Sequence, residues 1–279
     1  MKTKVLLGLL FLSIGVFAQD FRGKAVYKTH RKIDFKLGDK QGGENSALQK
    51  QLKAQLMRQF QKTFTLNFTK NESTYKENKA LSSPQQQMGG MQIQIMGNGG
   101  GNDVLYKNIK EKRYANKTEI SGKRFLIKDD LPNYGWEMTG ETKNIGKYTC
   151  YKATRKRTET RRTIAFGDGD KDGDKEEIIT IETVAWYTPE IPVSNGPESF
   201  WGLPGLILEI QDGKQTIVCT EIVLNPKETI EIKEPRKGKK VSQKKFETIM
   251  EEHTKDMMER FKNRRRSNDG NSVHIEIQG

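Results

Sequence analysis

The sequence predicts a mainly β protein of the α+β class: a curved antiparallel sheet or open half-barrel, with a helix near the N-terminus and an amphipathic C-terminal helix. Three observations carry this prediction. A dozen short segments read as strands, most with apolar and polar residues at period two. Several links between them contain Ser-Gly, Asn-Tyr-Gly or Asp-Gly, the chemistry of β-turns. Helical periodicity is confined to two stretches, one towards each end. Strands this close in sequence pair antiparallel, because parallel neighbours need a crossover of about a dozen residues.

The first strand runs from Gly23 to Arg31, where KAVYKTH alternates β-branched and aromatic residues with polar ones. Between Asn45 and Lys62, the residues Leu48, Leu52, Leu56, Met57 and Phe60 recur at helical spacing in a Gln- and Lys-rich background. Thr63 to Thr69 returns to period two, with Phe64, Leu66 and Phe68 on one face, and Glu72 to Lys76 can pair with it. Residues 79–103 are rich in Gln and Gly and have no period, so they are expected to form a mobile insertion. Further strands are expected around Tyr106 and at Lys112 to Thr118, Lys123 to Lys128, Trp136 to Thr139 and Tyr148 to Arg157. They continue at Ile178 to Tyr187, Leu206 to Ile210, Thr216 to Leu224 and Glu228 to Ile232. Ser242 can cap a final helix whose stripe is Phe246, Ile249, Met250, His253, Met257 and Phe261. Arg264 to Arg266 at its end suit the helix dipole, and Val273 to Ile277 can add an edge strand.

The chain starts with Lys2 and Lys4, an apolar run from Val5 to Phe17, and Ala18, the layout of a secretory signal peptide. The run is shorter than the roughly 20 residues that span a bilayer. Removing the first 18 of 279 residues leaves 261 and lowers the net charge from +13 to +11, because Lys2 and Lys4 are lost. The expected organisation is therefore a signal peptide at 1–18, a single β-rich domain at 19–262 and a basic, polar tail at 263–279. No cysteine follows the signal directly, so the mature chain has no lipid attachment point there. Export makes a periplasmic or secreted, non-spanning protein the expectation.

Cys150 and Cys219 are the two cysteines, and an even pair in an oxidising compartment is expected to lie on adjacent strands and form a disulfide. The alternative is two buried thiols packing as small apolar groups. The basic surplus falls in clusters at 155–157, 161–162, 236–240 and 264–266. Without interleaved aromatic platforms they do not suggest nucleic acid. They suit a solvated face, with peripheral attraction to an anionic membrane surface as the sharper reading.

Thr183 to Ile210 reads TVAWYTPEIPVSNGPESFWGLPGLILEI. Pro189, Pro192 and Pro197 with Gly196 forbid regular pairing, so the strand ending near Trp186 and Tyr187 has to leave the sheet and re-enter at Leu206. Leu203-Pro204-Gly205-Leu206 has the composition of a type II turn with positive φ at Gly205. The segment resembles the signature of the GLPGLI family, a group of exported proteins of Bacteroidetes, of Porphyromonas gingivalis type, named for the residues that here are Gly202, Leu203, Pro204, Gly205, Leu206 and Ile207. The likeness extends upstream through Trp186, Tyr187, Pro189, Ile191, Pro192, Gly196 and Pro197, and to Trp136, Glu141 to Tyr148 and Cys150 to Ala153. It implies export and a β-rich fold, with no established activity to carry over. The motif itself reads as architectural, since Gly, Pro and aliphatic side chains perform no acid–base chemistry.

Asp168, Asp170 and Asp172, with Gly173, resemble the opening of a calcium loop, but Ile179 occupies the position of its closing bidentate Glu. A solvated acidic turn is the simpler reading, and no cofactor is expected beyond that weak indication of Ca2+. His30, His253 and His274 have no catalytic context, and no GxSxG, HExxH, P-loop or dinucleotide motif occurs. Met88, Met91 and Met96 could hold soft Cu(I) but equally fill a loop. The expected function is therefore non-enzymatic binding of an apolar or lipid ligand on a concave sheet, or of an envelope partner. The alternative is a hydrolase or metal-binding protein whose site forms only in three dimensions.

Overall fold

The computed structural model describes residues 21–31, 61–78, 103–163 and 175–266. The expected signal peptide, the expected N-terminal helix up to residue 60, almost all of the expected insertion at 79–103, the acidic stretch at 168–174 and residues 267–279 lie outside them. The described strands are β1 (Arg22–Arg31), β2 (Thr63–Thr69), β3 (Glu72–Glu77), β4 (Val104–Asn108), β5 (Arg113–Ile120) and β6 (Lys123–Asp130). They continue as β7 (Glu137–Ile145), β8 (Tyr148–Thr163), β9 (Lys175–Thr188), β10 (Leu206–Asp212), β11 (Gln215–Leu224) and β12 (Lys239–Val241), followed by the helix α1 (Gln243–Arg266). All twelve strands belong to one sheet, in the order β12-β6-β5-β4-β3-β2-β1-β11-β10-β9-β8-β7. It is not closed into a barrel, and it is mixed, because β12 lies parallel to β6 while every other pairing is antiparallel.

The order is two meanders, β1 to β6 and β7 to β11, joined by the pairing of β1 with β11. Strands β6 and β7 are consecutive in the chain yet ten strand spacings apart in the sheet. On a flat sheet that separation is about 48 Å, whereas residues 131–136 can reach only about 25 Å from Asp130 to Glu137. The sheet therefore curls. Its inner face carries the cross-strand rows Leu105-Tyr75-Leu66-Ala25 and Ile217-Ile210-Ala185-Ala153, which share one apolar core.

One expected strand does not form, and one that forms was not expected. Glu228 to Ile232 forms no strand, although it has the alternation of one. Residues 226–238 cross the outer face of the sheet as an extended strap, with Ile232 against Tyr106, Ala115 and Leu126. Glu234 is held by Arg113 and Lys128, so the alternation reflects one apolar side lying on a surface rather than strand pairing. The edge strand Lys239–Val241 was missed because three residues show no period. The C-terminal helix forms as expected: the Ser242 hydroxyl accepts the Lys245 N–H at 3.3 Å, and Phe246 meets Phe125 edge to face. Packing fades along the helix, from half-buried Ile249, Met250 and His253 to exposed Met257.

Candidate functional site

Residues 189–205 fold into the curl of the sheet as a plug. Ile191, Val193, Phe200 and Leu203 are buried in the same core as the inner face of the sheet. The prolines explain the path, since they cannot donate to a ladder, and the plug instead bonds to itself and to its own re-entry strand. Leu206 N–H donates to the Ile191 carbonyl at 3.0 Å, and Ile207 N–H to the Asn195 carbonyl at 2.9 Å. Tyr27, fully buried on β1, donates its hydroxyl to the Ile207 carbonyl at 2.7 Å.

The expected type II turn is not what forms. Gly205 N–H bonds the Leu203 carbonyl at 2.8 Å, a three-residue γ-turn centred on Pro204, and the positive φ falls at Gly202, at 96°. Gly205 is required for a different reason: a Cβ there would lie 2.1 Å from the Thr188 carbonyl oxygen. Close backbone approach, not a left-handed conformation, excludes a side chain. Gly196 is similarly pressed against the Ile207 side chain. Trp186 is half-buried with the Lys143 ammonium 4.4 Å above its ring, Tyr187 is buried, and Pro189, Pro192, Gly202 and Pro204 face outwards.

The plug is fastened by residues that sequence reasoning did not single out. Lys107, fully buried on β4, donates to the carbonyls of Gly196 and Glu198 at 2.7 Å each and of Phe200 at 3.2 Å. Burial lowers its pKa to about 7, opposed by the Glu198 carboxylate. With its Nζ held by three carbonyls, Lys107 clamps the plug to β4. Glu198, at φ 47°, accepts from Gln215 at 2.9 Å, and burial raises its pKa. Beside it, Thr183 donates to Asp212 at 2.6 Å and accepts from Arg157, which also pairs with Asp212. No sequence pattern marks Lys107, since a lysine in a five-residue strand ordinarily faces water.

The mouth of the curl is closed by the link after β6. Trp136 Nε1 donates to the Trp201 carbonyl at 2.9 Å and Trp201 Nε1 to the Pro132 carbonyl at 2.8 Å. Tyr134 stacks on Phe200 and on Trp136, with the Arg155 guanidinium 4.4 Å over its ring.

Cys150 and Cys219 are not bridged. They lie on β8 and β11, with β9 and β10 between, so the expectation of adjacent strands fails and the alternative of two buried thiols describes them. Burial raises them to about 11 and about 12 respectively. Among the described residues, no group of three or more His, Cys, Asp or Glu is placed to hold a metal, and Asp168, Asp170 and Asp172 lie outside those residues.

This fold and plug define a curled, single-sheet protein filled from within by its own proline- and aromatic-rich loop. Residues 136–209, from β7 through the plug into β10, match a family described as "Protein of unknown function (Porph_ging)", which bears out the GLPGLI-type resemblance over that stretch. No curated protein matches the chain. Two solved structures of PNGF-II, from different space groups, superpose with TM-scores of 0.47 and 0.46 at 11% and 10% identity. Each alignment covers 82% of this chain but 32% and 33% of the other, so this chain spans about a third of their length.

Proposed function

We propose that this is an exported cell-envelope protein that binds a partner at its outer surface and does not act as a carrier of lipid or a hydrolase. The observation that carries the reading is the filled curl. The concave apolar face that would have accepted a lipid is occupied by Ile191, Val193, Phe200 and Leu203, clamped through Lys107. The charged groups that hold the plug are engaged in structural contacts: Lys107 in three carbonyl bonds, and Asp212 in bonds from Arg157 and Thr183. Residues 1–18 supply the export signal. No helix among the described residues is long and apolar enough to cross a membrane.

Native mass spectrometry of the protein purified from its own host tests this directly. The expected species lacks residues 1–18 and carries no lipid, and a fluorescent fatty acid does not titrate into it. Retention of the leader on a cytoplasmic protein, or a stoichiometric lipid, would overturn the reading.

A further inference from the structure

The strap at 226–238 does not lie flat on the outer face. Between it and strands β1 to β5 run two adjoining open cavities of about 660 and 870 Å³, which share Glu72, Asn108 and Ile232 in their linings. Together they form one groove lined by eight basic and three acidic side chains. All three carboxylates are engaged within the protein: Glu72 accepts the Tyr106 hydroxyl, Glu111 pairs with Arg113, and Glu234 with Arg113 and Lys128. Arg22, Lys70, Lys110, Arg236 and Lys237, by contrast, have no carboxylate partner among the described residues. The field in the groove is therefore positive along its length, and unpaired charge there is available to a ligand.

The geometry points to this groove as the binding site for an extended acidic polysaccharide, with uronate carboxylates or sulfates against the five cations. This deepens the reading of an outer-surface binding protein and rests on it. Charge complementarity selects an anion, and shape selects a chain, because a recessed trough meets a flat bilayer only at its rims. Nucleic acid is disfavoured by the absence of stacking platforms in the trough: the Tyr106 ring is buried beneath Arg113, and Phe21 packs on Phe68. Asn71, exposed at the turn between β2 and β3, supplies an amide group suited to sugar hydroxyls.

Binding of the mature protein to polygalacturonate, with neutral dextran as the blank, tests the inference. The triple variant Lys70→Glu, Lys110→Glu and Lys237→Glu should bind about tenfold or more weakly at low salt with an unchanged melting temperature. A control with the same change in net charge, Lys123→Glu, Lys244→Glu and Lys255→Glu, should keep wild-type affinity. Equal losses in both variants would reduce the effect to net charge and overturn the groove. Tighter binding to phosphatidylglycerol vesicles or to single-stranded oligonucleotide, lost in the same triple variant, would overturn the glycan assignment. No binding to any acidic glycan, in an exported protein free of lipid, would sink this inference alone and leave the outer-surface reading standing.

Discussion

At Gly205, a single missing methyl group decides whether the plug can reach the sheet. Gly205→Ala sets a Cβ against the backbone of Thr188 and Pro189, which cannot move without shifting the end of β9, and the expected loss is about 2–4 kcal/mol. Gly202→Ala meets nothing closer than Trp136 at 3.7 Å and pays only for its positive φ, about 1 kcal/mol. Urea midpoints of the two variants check the order, and a larger loss at Gly202 would mean that turn conformation rules the motif. Lys107→Met strips three buried carbonyls of their donor and should cost about 3 kcal/mol or more, with amide exchange accelerating first at residues 196–200. The thiols make a prediction about pH. Their folded pKa values lie above the ordinary value, so folding retains protons that the unfolded chain releases. The associated stability is complete below about pH 9 and declines as pH rises towards 11 to 12. The stability gap between wild type and Cys219→Ala should therefore narrow above pH 9. At pH 8 the folded protein should react slowly with a thiol reagent, and unfolding without reductant should expose two thiols per chain.

Among the elements, the β8–β9 ribbon shows what a charge cluster in sequence can conceal. Beyond the pair Arg155 and Thr183 the two strands pair only with each other, for about 27 Å. Their register sets Lys156 opposite Glu182, Arg161 opposite Glu177 and Arg162 opposite Glu176. Acidic residues of β9 thus stand at register positions opposite three of the basic residues of β8. Glu177→Lys should raise amide exchange across 175–182 while shifting the global melt by no more than about 0.5 kcal/mol; a large global loss would show the ribbon to be part of the core. Strands with a solvated side were legible in sequence, as with Leu66 and Phe68 buried on β2 and Thr65 and Asn67 turned away. What sequence did not show was anything decided by contacts between distant segments. Lys107 is buried only because the plug carbonyls arrive, Ile232 packs without a ladder, and Cys150 and Cys219 are held apart by two intervening strands. The family motif was readable, but its meaning was not, since Pro204 and Gly205 are compatible with either a type II turn or a tight backbone approach.

The whole molecule depends on a sheet whose chain order and spatial order disagree at two places, between β6 and β7 and between β11 and β12. The six residues after β6 tie together the two sides of the curl through the crossed indole bonds of Trp136 and Trp201. Trp136→Ala should loosen that tie, at a cost of about 3 kcal/mol, with altered fluorescence from Trp201 preceding the main unfolding transition. The junction of β1 with β11 has a further consequence, in the timing of synthesis. Tyr27 faces Cys219 across that junction, so one long edge of β1 has no partner until nearly the whole chain has been made. At about 5–20 residues per second that wait lasts roughly 10–40 s, during which the first meander presents an unsatisfied strand to any other chain nearby. A chain truncated after Asp130 would carry that edge unpaired, and light scattering should show it aggregating faster than the full chain.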